Sequence, residues 1–446
     1  MANEVTASGI GAKRVPKACC EIISDKFDMG SDVPLESAQL NGTTGFVRPV
    51  GGIAAGSPYT FELTPIADSF LMMNGIYIYG KCQVVGGNDA AIAAAAKVGL
   101  VNGFGLSIFD EISVFLNGFK ISQDTDTNVH YKSMIETLLS YENEAMNTHL
   151  KTTLYDLDKP ANLENFDPTA AGNDAFKGRA KFIKESRTFD FAVPLATDFT
   201  RADNHLAPGN TLLIKAKLNN NRFLIKSSED NASYKLVIKD LKMYYHRVRL
   251  DPSITSKILG KTHRYLTAKT QLLHRSLASG LSNYNTQLFQ GLLPRTLVIS
   301  MVRTDAFNGS YSKNPYNFQH FDINTINLRV NGIAVPADSY MPDFENDIYM
   351  REYLELFRNT GTYRVDRGTI ISYERFKKGC TFFAFDLTPD LCNSNHLHVS
   401  TPGVLSAEFN FKKALPTNIT ILFYAVFSQR ITTDADIKLQ SAIDIL

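Results

Sequence analysis

The chain has 446 residues, enough for two or three domains at about 100–200 residues each. Its 46 Lys and Arg nearly cancel 45 Asp and Glu, so no global field steers it to nucleic acid or a membrane surface. The 29 Phe and 19 Tyr, without Trp, bias it toward strands. The five Cys are odd in number and form no CxxC pair, which argues against a disulfide framework and for a reducing compartment.

Residues 1–54 read as an N-terminal arm and loop, the Gly-, Pro- and Ser-rich stretch 31–60 leaving room for one strand. MANEVTASGIG lacks an apolar h-region, so no secretory leader is expected, and the sequons at Asn41, Asn231, Asn308 and Asn418 would go unused. No apolar run reaches about 18 residues, so no membrane insertion is expected. Lys13, Arg14 and Lys17 make the arm basic, suited to nucleic acid or a neighbouring subunit, or simply a solvated tail. Strands are expected at Tyr59 to Leu63, Ile76 to Tyr79 and Cys82 to Val85. The Ala-rich stretch 88–97 permits one helical turn in a loop.

The most informative stretch follows. Ile112, Val114 and Leu116 alternate with Ser113 and Phe115, the period of a half-buried strand. Asn117-Gly118 tolerates φ > 0 at both positions and predicts a two-residue hairpin turn. Tyr131, Met134, Ile135, Leu138 and Leu139 then recur at helical spacing. Residues 156–180 are polar and long for a loop, and are expected at the surface. Strands follow at 188–193, 211–217, 222–226 and 234–246, closing a first domain over 55–250. Residues 251–284 read as a linker. From Arg247 to Arg275, seven Lys and Arg face one acid, Asp251; this is either a surface for acidic partners or a solvated connector.

The remainder, 285–446, repeats the first domain and adds a C-terminal tail. Ile112 to Ile121 aligns without a gap on Ile326 to Val335, placing Asn331-Gly332 on Asn117-Gly118. Phe109-Asp110 matches Phe321-Asp322. Tyr131, Ile135, Leu138 and Leu139 match Tyr349, Tyr353, Leu356 and Phe357, and Pro208-Gly209 matches Pro402-Gly403. Two copies, each with many short strands between turns, predict an all-β chain of two tandem jelly-roll sandwiches, with short helices in the connecting loops.

Several ordered motifs carry a resemblance. They are Leu106 to Phe109 through Gly118, Tyr131 to Tyr141, Ala306 to Ser310, Asn317 to Asp322, Pro342-Asp343-Phe344, Arg351-Glu352-Tyr353, and Phe383 to Asp390. Over about residues 55–430 the chain resembles the major capsid proteins of Polinton (Maverick) elements and adintoviruses. The resemblance implies a double jelly roll that forms homotrimers, each a pseudo-hexameric capsomer of an icosahedral capsid. It also implies neighbouring capsomers and penton or minor capsid proteins as partners, and a place in the virion after assembly inside a host cell. Weak genome contact would fall to Lys13, Arg14 and Lys17. The alternative is a carbohydrate- or receptor-binding sandwich of the spike type, but the Trp stacking platforms typical of lectins are absent.

Catalytic and metal motifs are incomplete. Asp124, Asp126 and Asn128 open like a calcium loop, but Val129 stands at the turn Gly and Ile135 at the bidentate Glu. His396 and His398 lack further ligands except Cys392. Ser107 lacks the closing Gly of a nucleophile elbow. Asp343, Glu345 and Asp347 read as a solvated acidic loop. No enzyme, cofactor or metal is expected. The residues singled out are the turn pairs Asn117, Gly118, Asn331 and Gly332.

Overall fold

The computed structural model describes residues 36, 38–122, 126–366, 368–389, 391, 401–433 and 439–445. Lys13, Arg14, Lys17, Asp124, Cys392, His396 and His398 lie outside them.

Eight strands build a first sandwich: β1 (Gln39–Val47), β2 (Tyr59–Leu63), β3 (Ser69–Gly86), β4 (Phe109–Leu116), β5 (Phe119–Lys120), β6 (Phe189–Pro194), β7 (Leu212–Leu218) and β8 (Tyr234–Leu250). Eight more build a second: β9 (His263–Leu277), β10 (Asn283–Leu292), β11 (Thr296–Arg303), β12 (Ile323–Val330), β13 (Ile333–Ala334), β14 (Phe383–Asp386), β15 (Pro402–Phe411) and β16 (Ile419–Thr433). The first pair of sheets runs β1-β8-β3-β6 and β2-β7-β4-β5; the second runs β9-β16-β11-β14 and β10-β15-β12-β13. Adding eight to each strand number turns the first sandwich into the second. Leu439–Ile445 extends the second sandwich by pairing with β16. Four helices matter below: α1 (Val129–Ser140), α2 (Asp174–Lys181), α3 (Pro252–Leu259) and α4 (Met350–Asn359). The all-β, twice-repeated architecture expected from the sequence is the one observed.

Alternation explains the cores. Val114 and Leu116 of β4, Ile214 of β7 and Phe61 of β2 are buried, facing Ile78 and Val84 of β3 and Met243 of β8. Phe115 points the other way, with the Lys215 ammonium 5.1 Å from its ring centre. In the second sandwich Phe423 lies 6.0 Å from Phe409, and Phe427 lies 5.4 Å from Phe289, so the two sheets meet through aromatic pairs.

The two hairpins occupy the same place in their sheets. Asn117 and Gly118 have φ of 50° and 85°; Asn331 and Gly332 have 50° and 83°. Two successive positive values make a turn whose twist suits the flanking strands. Each Asn also reaches sideways. Asn117 Oδ1 accepts from Thr211 N (2.9 Å), and Asn331 Oδ1 accepts from Val404 N (2.8 Å). Each turn is thereby tied to its neighbouring strand at the same relative position.

Three expectations need correction. The first domain starts before residue 55: residues 39–47, placed in the loop ahead of it, form β1 and pair with β8 from Gln39↔Leu250 to Val47↔Met243. The expected linker 251–284 holds α3, then β9, which pairs with β16 along its whole length, and the start of β10. The backbone of β9 is tied into a sheet by hydrogen bonds, so Arg264, Lys269 and Arg275 ride on a strand and Lys257 on α3. The segment 156–180 is not simply surface: Phe176 and Arg179 of α2 are buried. Residues 88–97 make one turn, closed by Ala96 N to Ala93 O at 3.0 Å.

The open space around Gly118 and Gly332 leaves backbone strain as the main cost of substitution there. Gly118→Val and Gly332→Val should each destabilise by about 1–2 kcal/mol, because a β-branched residue is poorly tolerated at positive φ. Denaturant midpoints of the two variants check this; a shift indistinguishable from wild type in both contradicts the strain argument.

Candidate functional site

Among the described residues no cluster of three His, Cys, Asp or Glu side chains could hold a metal. Asp126 is paired to Lys120 and accepts from Ser113 Oγ at 2.8 Å. Ser107 Oγ bonds Gly103 O (2.9 Å) and the Tyr316 hydroxyl (2.7 Å), an arrangement without a base. Asp343 and Glu345 are met by Lys412, and Asp347 by Lys377. The thiols of Cys82 and Cys380 are buried and free, and burial pushes both up, Cys380 to about 12. Among the described residues, buried charged side chains gather where the sandwiches meet.

That seam has three parts. The first is ionic. Lys132 of α1 is 3% exposed and paired with Asp198, which follows β6. Asp198 also accepts from Thr270 N (2.7 Å) and Thr270 Oγ1 (3.1 Å) of β9, and its carbonyl accepts from Thr267 Oγ1 (2.7 Å). One turn along α1, Glu136 accepts from the Tyr424 hydroxyl of β16 at 3.0 Å and pairs with Arg201. Burial raises the Tyr424 phenol, and the Glu136 charge adds to it. The cleft beside this network has a volume of about 740 Å³.

The second part is aromatic. Tyr131 of α1 is fully buried, with Phe307 stacked at 5.4 Å, Tyr316 at 5.6 Å and Phe318 at 6.3 Å. All three come from the segment between β11 and β12. The helix of one sandwich therefore carries a ring into the other.

The third part is a polar strap. Arg179 of α2 makes a bidentate pair with Asp158, 2.8 Å to each oxygen, and its Nε bonds Leu100 O at 3.0 Å. Asp158 O in turn accepts from Arg375 Nη1 (2.9 Å) of the second sandwich. Glu164 accepts from Asn314 N (2.9 Å) and Asn317 Nδ2 (2.7 Å). Lys226, 1% exposed, donates to Ser310 O at 2.7 Å and Arg222 O at 3.1 Å. Burial pulls its ammonium down to about 7, with Glu164 opposing the shift.

The four turn residues lie outside this seam, at the hairpin tips. Sequence reasoning missed Lys132, Glu136, Asp198 and Lys226. The available signal was Lys132 and Glu136, an i,i+4 pair flanked by the apolar Tyr131 and Ile135, which reads as an ordinary solvated pair.

Comparison with known proteins follows the same lines. No protein-family model matches the chain. It is 23% identical over 405 residues to the uncharacterized protein F54H12.2 of Caenorhabditis elegans, spanning 85% of this chain and 92% of that one. A chain in the Sputnik virophage structure superposes with a TM-score of 0.62 at 12% identity, covering 96% of this chain and 93% of that one. The Faustovirus major capsid protein gives 0.56 at 9% identity, with 93% and 92% covered. The mavirus major capsid protein gives 0.53 at 10% identity, with 97% of both chains covered. The chain is a double jelly roll. No helix among the described residues is long and apolar enough to cross a membrane.

Removing one partner of a buried pair strands the other. Lys132→Met should cost about 3–5 kcal/mol, and Lys132→Met with Asp198→Leu less than the sum of the single changes. A double-mutant cycle by urea denaturation measures this. Lys226 gives a pH dependence. Its folded value, about 7, lies below the unfolded 10.5, so between them the unfolded chain holds more protons. Stability then rises with pH across that window. Lys226→Met should flatten the rise, as read from unfolding midpoints between pH 7 and 10.

Proposed function

We propose that this chain is the major capsid protein of a virus or virus-like element of the Polinton (Maverick) type. Three copies form a pseudo-hexameric capsomer, and capsomers tile an icosahedral shell completed by penton or minor capsid proteins. The observation that carries the reading is the double copy: two jelly rolls of one strand order, joined through a buried ionic and aromatic seam, fill the described chain. A two-sandwich chain with a rigid internal joint supplies two corners of a six-cornered unit, and three chains supply all six. The matched chains named above, from a virophage structure and from two major capsid proteins, support the same reading. The basic residues Lys13, Arg14 and Lys17 offer weak contact with the packaged genome.

Purified protein should run as a trimer by size-exclusion chromatography with light scattering. Negative-stain images should show six-cornered particles. A monodisperse monomer at micromolar concentration would reject the capsid reading and favour the receptor-binding alternative.

A further inference from the structure

The internal seam is also a template. On the second sandwich, one face of sheet β9-β16-β11 looks inward at the aromatic core. Its other face carries Thr270 of β9 and Tyr424 of β16, both buried and hydrogen-bonded to Asp198 after β6 and to Glu136 of α1, with Val426 beside them along the cleft. The equivalent outward face of the first sandwich, on β1-β8-β3, is bare. There Phe46, Tyr244 and Tyr77 stand in one row across three paired strands. Phe46 is 51% exposed and Tyr77 38%. Tyr77 stacks on Tyr244 at 5.0 Å, Phe46 lies 5.7 Å from Tyr244, and Tyr79 meets Tyr244 edge-on at 6.5 Å. A duplicated fold thus shows one sheet face covered and its counterpart open and aromatic.

The covering helix is duplicated as well. α1 and α4 each follow the Asn-Gly hairpin of their own sandwich. The alignment of Tyr131 on Tyr349 places Lys132 on Met350 and Glu136 on Leu354. Lys132 and Glu136 are the α1 residues that engage the neighbouring sandwich. Met350 and Leu354 are 63% and 43% exposed, on the side of α4 away from buried Leu356. The stripe that is ionic and covered on α1 is apolar and bare on α4.

We propose that the α4 stripe of Met350 and Leu354 docks on the Phe46–Tyr244–Tyr77 face of a second copy of this chain. The inference rests on the capsomer reading and names the surface that closes it. The contact repeats between chains the join that α1 makes within one chain. It is heterologous, helix to sheet face, so it propagates in one sense around the ring and closes after three chains. Apolar and aromatic groups suit this role, because contacts between subunits of obligate assemblies are apolar and centred on residues such as Tyr.

The test uses two exposed sites, one on each side of the contact. Leu354→Arg spoils the helix and spares the sheet face; Tyr77→Arg does the reverse. Each should weaken association on the order of 30-fold or more and give monomers by light scattering, with melting close to wild type. Mixing the two variants should restore one sound contact and give a heterodimer that grows no further. Met350→Asp and Phe46→Asp serve as second variants if either first choice folds poorly. Trimeric wild type with trimeric variants overturns this inference alone. Dissociated variants whose mixture stays monomeric also overturn it, because the two surfaces are then not partners. A monomeric wild type overturns the capsomer reading beneath it.

Discussion

The contact between Lys132 and Asp198 fixes how the two halves of this chain relate. Both groups are almost out of water, and neither sandwich satisfies the pair alone. Asp198 needs the Thr270 amide and hydroxyl of the other sandwich to complete its hydrogen bonds. A buried charge without partners is very costly, so a half-open joint is disfavoured. The ionic seam thus acts less as glue than as a registry device. Two apolar surfaces can slide over each other; a carboxylate held by one ammonium and two Thr donors cannot.

The aromatic and strap contacts then extend that registry over a wide area. Tyr131 projects from the helix that also carries Lys132, so ring and ammonium enter the seam from one rigid element. The strap comes from the opposite side of the problem. Arg179, Asp158, Glu164 and Arg375 bring loops from both sandwiches together through charge-assisted hydrogen bonds, which are directional. Tyr349, the counterpart of Tyr131, behaves differently. Its ring lies among Phe344, Tyr373 and Phe376 of its own sandwich. One copy of the motif looks across a boundary and the other looks home, and this asymmetry makes the two copies of a repeated fold unlike at their surfaces.

Legibility in the sequence followed local physics. The hairpins could be read because Asn-Gly satisfies a backbone requirement within two residues. The buried strands of alternating pattern could be read because each has one wet and one dry face. β1 could not. QLNGTTGFV carries two Gly and few apolar residues, and nearly all of it is exposed, so neither composition nor period marks it. Its assignment comes from pairing with β8, about 200 residues away. β9 was hidden differently: its cations sit among apolar residues on a strand wet along one side, and charge density outweighed pattern. The seam was least legible. Lys132, Asp198 and Thr270 are far apart in the chain, and no short motif announces a pair assembled by tertiary folding.

The buried thiols carry a consequence of a different kind. Cys82 and Cys380 lie in separate sandwiches, each out of water and held in the neutral form. Thiol–disulfide exchange proceeds through the thiolate, and these two do not present one. Neither sandwich core therefore has a redox lever at these positions. A change from reducing to oxidising surroundings therefore leaves the covalent structure at both positions unchanged.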